Sequence, residues 1–196
     1  MPKDVEYEPN REESMRSLIA VGVATVVAAT AIGATTYQPE NGHAVVKVKP
    51  DTTGAAIWAH LQEEKYRENW SLWPGTEAFY KGNQPHGMLL TTYVNGVALR
   101  AIEGGAAAMP DGAIIVKENY MPNRQLGAIT VMYKRHGYNG EHHDWFFSKH
   151  LPSGDLDKME MNGMTMPMEG RLPGCQNCHL AKQDNDYLYT GELGGH

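Results

Sequence analysis

The five residues Cys175-Gln176-Asn177-Cys178-His179 constrain this chain more than any other stretch. Cys-x-x-Cys-His is the attachment signature of a c-type haem: each thiol adds to one vinyl group, and the following imidazole is offered to the iron. Cys175 and Cys178 are the only 2 cysteines in 196 residues, so no thiol remains for a disulfide or a thiolate metal site. A zinc site would want two further ligands at close spacing, and a dithiol redox motif has no need of the histidine. The expected cofactor is therefore one haem c, covalently attached through Cys175 and Cys178, with His179 as proximal ligand of the iron.

The place of the motif matters as much as its pattern. Only 17 residues follow His179 (196 − 179), and none of them is methionine. An axial Met must then come from before the motif, or the iron keeps an open face. An open position binds a small molecule, whereas a filled one mainly sets a potential for electron transfer. The sequence leans towards ligand chemistry. A net charge of −6 with no basic patch argues against nucleic acid as a partner.

Residues 17–36 carry no charge and are rich in Ala, Val and Thr, with Arg11 and Arg16 before them. This stretch reads as a signal peptide or an N-terminal membrane anchor. Ala31, Gly33 and Ala34 suit cleavage, while the acidic Asp4, Glu6, Glu8, Glu12 and Glu13 are unlike a positive n-region and suit an uncleaved anchor. The expected organisation is a leader or anchor over 1–36, a polar linker over 37–53 and a haem domain over 54–196. Both forms of the leader place that domain outside the cytoplasmic membrane, periplasmic or otherwise extracytoplasmic, free or tied to the inner membrane through 17–36.

Along the haem domain, Asp51, Thr52 and Thr53 precede a helix expected over 54–70, with Ile57, Trp58 and Leu61 on one face. Runs 88–94, 113–120, 125–136, 144–150 and 186–190 read as strands. Asn95-Gly96 signals either a tight hairpin or the cap of a helix reaching Ile102. The fold class is α+β: mainly antiparallel β-sheet with a few flanking helices and a C-terminal haem-attachment segment. A four-helix bundle does not suit this pattern.

Several stretches in this order resemble the cytochrome P-460 and cytochrome c′-beta family of monohaem c-type cytochromes. They are Trp73-Pro74-Gly75, Pro85-His86-Gly87, Thr92-Tyr93-Val94-Asn95, Pro110-Asp111-Gly112 with Ile114-Ile115-Val116-Lys117-Glu118, the run 128–138, Asp144-Trp145 and the terminal motif followed by Asp186-Tyr187. The resemblance spans roughly residues 55–191. It implies a five-coordinate, His-ligated haem, often in a homodimer, that oxidises hydroxylamine or binds nitric oxide and passes electrons to a redox partner protein. It also implies that Lys117 is the position that bonds covalently to the porphyrin in P-460 enzymes. From the residues alone, Lys117 shares a face with Ala113 and Ile115, and its amine is either a buried nucleophile or a strand-end lysine whose head reaches water, paired with Glu118 or another carboxylate. Hydroxylamine-oxidising relatives carry a carboxylate on the strand after the lysine strand. Here that run is Ala128-Ile129-Thr130-Val131-Met132, so a wall of Ile129, Val131 or Met132 would favour a neutral diatomic, unless Glu141, Asp144, His142 or His143 supplies the base.

Met159, Met161, Met164, Met166 and Met168 fall within ten residues. They read as a flap packed over haem or sheet, as the source of an axial ligand in a membrane-anchored electron-transfer subunit, or as a cuprous copper site. His142-His143 reads as a surface turn, and His86 as a structural residue at a strand start.

Overall fold

The computed structural model describes residues 49–82, 85–161 and 163–194. The leader expected over 1–36 and residues 37–48 of the linker lie outside the described residues. Among the described residues, no helix is long and apolar enough to cross a membrane.

The elements run α1 (Gly54–Glu63), α2 (Tyr66–Asn69), β1 (Ser71–Leu72), β2 (Tyr80–Lys81), β3 (Leu89–Val94), α3 (Gly96–Glu103), β4 (Ile114–Tyr120), β5 (Leu126–Lys134), β6 (Trp145–His150), β7 (Lys158–Met161), β8 (Met164–Pro167), β9 (Glu169–Gly170) and α4 (Pro173–His179). A 7-stranded antiparallel sheet has the order β1-β3-β4-β5-β6-β9, with β2 also paired to β3; β7 and β8 form a separate hairpin. This is the expected α+β class.

Three local outcomes differ from the sequence reading or decide it. The single helix expected over 54–70 breaks at Lys65, which takes a left-handed φ of 48°. The break lets Tyr66 turn inward, where its hydroxyl donates to Glu118 at 2.8 Å. Asn95 caps α3 and makes no hairpin: its side-chain oxygen accepts from the Ala98 and Ile114 N–H groups at 2.9 and 3.1 Å, and its amide donates to the Gly112 carbonyl. The strand expected over 186–190 does not form. A 3-10 helix, Leu180–Asn185, runs instead into a turn where Asp186 and Tyr187 both have positive φ, 50° and 68°.

The sheet has two unlike faces. On one, Ile114, Val116, Ile129, Val131, Tyr133 and Phe146 pack against Ile57 and Leu61 of α1 and Tyr66 of α2. On the other, register aligns Val94, Ile115, Met132 and Phe147 in one row and Thr92, Lys117, Thr130 and Lys149 in the next. The apolar row belongs to a second core with Ala98, Leu172 and Leu188. Of the polar row, Lys117, Thr130 and Lys149 line a cavity. Side chains alternate across a strand, so one sheet serves a packed face and a half-open one.

Candidate cofactor site

Pro173 starts the short helix α4, where its missing N–H costs nothing. Helical spacing of three and four residues then turns Cys175, Cys178 and His179 to one side. All three line a cavity of about 390 Å³ together with Lys117, Thr130 and His86. A second cavity of about 360 Å³ shares His86, Lys117, Cys178 and His179 with it. Such volumes are ordinary for cofactor pockets. The two cysteines are not joined in a disulfide.

The His179 ring is fixed in direction and in tautomer. Its Nδ1 donates to the Tyr187 carbonyl at 2.6 Å, which leaves Nε2 with a free lone pair. Phe147 and Tyr189 meet it edge-on, with ring centres 5.5 and 5.4 Å away. Burial holds the imidazole below its ordinary pKa against the Tyr187 bond, and Lys117 adds to the push. The Tyr187 carbonyl is aimed by the left-handed turn, and Asp186 pins that turn. Its buried carboxylate accepts from the Met109 N–H at 2.7 Å, from Lys134 Nζ at 2.6 Å and from His143 Nδ1 at 3.0 Å. Its carbonyl accepts from Trp145 Nε1 at 2.9 Å. The backbone strain of two non-glycine residues in the left-handed region is held by this set of bonds. Two thiols and a tautomer-fixed imidazole on one cavity fit a covalently attached haem. The cavity wall also holds Asn119 Oδ1, a buried oxygen with no hydrogen-bond partner among the described residues.

Lys117 and Glu118 are neighbours on β4 and point to opposite faces, so of the two alternatives left open for Lys117 the pairing with Glu118 does not occur. Glu118 is 1% exposed and accepts from Tyr66 and Tyr120 hydroxyls and from Arg67 Nε, at 2.8, 2.5 and 2.5 Å. Lys117 faces the cavity, and burial pushes its amine down to about 8. No carboxylate lines the cavity among the described residues. His86, read as structural from sequence, lies in the same cavity, its ring centre 6.1 Å from that of His179. Burial, with Lys117 and His179 adding to it, pushes His86 down to about 4 against a smaller opposite pull from Asn119. A Pro-His-Gly triplet alone carries no signal of where its ring points.

Other expected site residues fall elsewhere. Ile129 and Val131 pack on the helix-covered face, although Val131 also borders the cavity. Period two brings Ala128, Thr130 and Met132 to the cavity side instead. Glu141, His142, His143 and Asp144 do not line it. His142 Nδ1 lies 3.2 Å from the Tyr187 hydroxyl, and Asp144 accepts from the Gly137 and Asn139 N–H groups. Glu141, His142 and His143 fasten the turn behind the proximal histidine, Asp144 closes its own loop, and none of them reaches the cavity to act as a base there. The methionine segment is the hairpin β7–β8, in which Met159 pairs with Met166 and Met161 with Met164. Met159 and Met168 reach the cavity, while Met161, Met164 and Met166 are exposed.

No individually curated protein matches this sequence. A family model does, over residues 63–190, a span that takes in the lysine strand, the cavity and the Cys-x-x-Cys-His helix. On that match the chain belongs to the Cytochrome P460 family.

Proposed function

We propose that this protein is an extracytoplasmic monohaem c-type cytochrome that handles a small nitrogen species, hydroxylamine or nitric oxide, and exchanges electrons with a separate redox protein. Membership of the family implies haem c. Cys175 and Cys178 hold it, and His179 is the proximal ligand. The observation that carries this reading is the bond from His179 Nδ1 to the Tyr187 carbonyl, which leaves Nε2 bare on the cavity that both thiols line. When bound, the haem supplies a Lewis-acidic iron that changes oxidation state by one electron.

The chain's own groups shape what else happens there. Lys117 is the candidate for a bond to the porphyrin, since its amine faces the cavity, is partly desolvated and meets no carboxylate among the described lining residues. A pocket without a lining carboxylate favours capture of a neutral diatomic, and removal of protons from hydroxylamine would fall to His86 or Lys117. A Soret band of the reduced protein shifted far to the red, returned to the ordinary position by Lys117→Ala, is the expected result of a lysine bond. An unshifted band in both proteins removes the cross-link. Steady reduction of an artificial acceptor by hydroxylamine marks a catalyst, and its absence beside nitric oxide binding marks a binder.

A second reading, an electron-transfer cytochrome with axial Met, is favoured by the placement of Met159 and Met168 on the cavity. Low-spin spectra that turn high-spin in Met159→Leu or Met168→Leu would establish it.

A further inference from the structure

We propose that the β7–β8 hairpin binds one cuprous copper ion through the thioethers of Met159, Met161, Met164 and Met166. The site is separate from the haem attachment and does not depend on it. Register sets the four side chains together, with Met159 opposite Met166 and Met161 opposite Met164. Residues two apart on a strand share a face, so all four project from one side of the hairpin. Lys158, Glu160, Thr165 and Pro167 take the other side, where the Thr165 hydroxyl donates to the Glu160 carboxylate. Gly163, with φ +76°, lies in the turn that brings Met161 and Met164 face to face.

A face that packs on a core is buried and mixes apolar side chains of several shapes. This one carries methionine at each of the four positions, although only 11 of the 196 residues are methionine. Met161, Met164 and Met166 are 36, 61 and 38% exposed, and β7 and β8 form a two-stranded sheet of their own. A contiguous exposed apolar patch marks a site of interaction. Thioether sulfur is a soft, neutral donor that selects cuprous copper over the harder divalent ions. Among the described residues, no three His, Cys, Asp or Glu side chains gather in a way that could hold a metal ion. The spacing also suits one ion. Opposed Cβ atoms stand about 5 Å apart across a strand pair, and residues two apart along a strand about 7 Å, so the centre of the four lies about 4 Å from each. A methionine carries its sulfur about 3 Å beyond Cβ on rotatable bonds, and a metal–sulfur bond adds about 2.3 Å. All four thioethers therefore reach an ion above that centre, and the three exposed ones suffice when Met159 turns to the cavity that it lines.

The test is an anaerobic titration of the purified protein, reduced beforehand so that no electron passes from copper to haem. Cuprous ion is supplied as its complex with a coloured cuprous chelator. One ion per chain is expected to leave the chelator, and its X-ray absorption is expected to show a shell of sulfur alone at about 2.3 Å. Met161→Leu/Met164→Leu keeps the apolar volume and is expected to weaken binding by about tenfold or more. Leucine at all four positions is expected to abolish it. Prior alkylation of any free thiol with iodoacetamide is expected to leave it in place. No transfer from the chelator overturns the proposal, as does an affinity unchanged by the four leucines. A first shell of nitrogen or oxygen overturns it too, and so does loss of the copper on alkylation, which would assign the metal to Cys175 and Cys178. Should the leucine variants not accumulate, the sulfur shell of the alkylated wild-type protein decides.

Discussion

Lys117 and Glu118 are adjacent on one strand and live in opposite chemical settings. Glu118 is enclosed and fully engaged, held by two tyrosine hydroxyls and a guanidinium. Lys117, one residue earlier, faces a cavity with no carboxylate among its described lining residues and has its amine pushed down to about 8. A buried charge with all its partners is a structural element whose loss is felt by the fold. A half-buried amine without a counter-charge is held in a less favourable state and is available for chemistry. The same division runs across the sheet: helices α1 and α2 close one face, and the other stays half open over Lys117, Thr130 and Lys149.

That contrast breaks down if the two residues respond alike to substitution. Glu118→Gln is expected to have the largest effect on stability, a loss of about 3 kcal/mol in urea unfolding, with the visible spectrum unchanged. Lys117→Met should instead stabilise the protein near pH 7, because it removes a desolvated amine, and it should change the visible spectrum. The pH dependence sharpens this. With a folded pKa of about 8 against an ordinary value of 10.5, the unfolded chain holds a proton on Lys117 that the folded protein lacks between those values. Wild-type stability relative to Lys117→Met should therefore be constant below about pH 8 and rise up to about pH 10.5. Matched urea titrations read that slope, and a covalent bond between the amine and the porphyrin would abolish it. Tyr120→Phe removes one of several bonds to Glu118 and should cost about 1 kcal/mol or less, measured in the same titrations.

The sequence makes the attachment helix legible because the spacing of Cys175, Cys178 and His179 is itself the chemistry. The strands around Ile114–Tyr120 and Leu126–Lys134 are legible because their β-branched content is dense. Alternation also places Lys117 with Ile115 correctly. One strand on, Ile129 and Val131 serve the packed face, and Thr130 and Met132 the cavity. Asp186-Tyr187 resembles a short strand in composition, yet its carboxylate binds Met109, Lys134 and His143 and pulls the backbone into a turn. Those partners are distant in sequence, so no local pattern announces them. His86 is missed for the same reason, since its meaning comes from a ring 93 positions away (179 − 86).

The most direct test is the fate of the pigment when the purified protein is denatured and extracted with acidified organic solvent. One haem per chain that stays with the polypeptide, gives the pyridine haemochrome spectrum of a doubly thioether-linked haem and is lost in Cys175→Ala/Cys178→Ala is the predicted result. Haem that extracts freely, or a protein that carries none, would contradict the cavity's assignment to a covalently held haem.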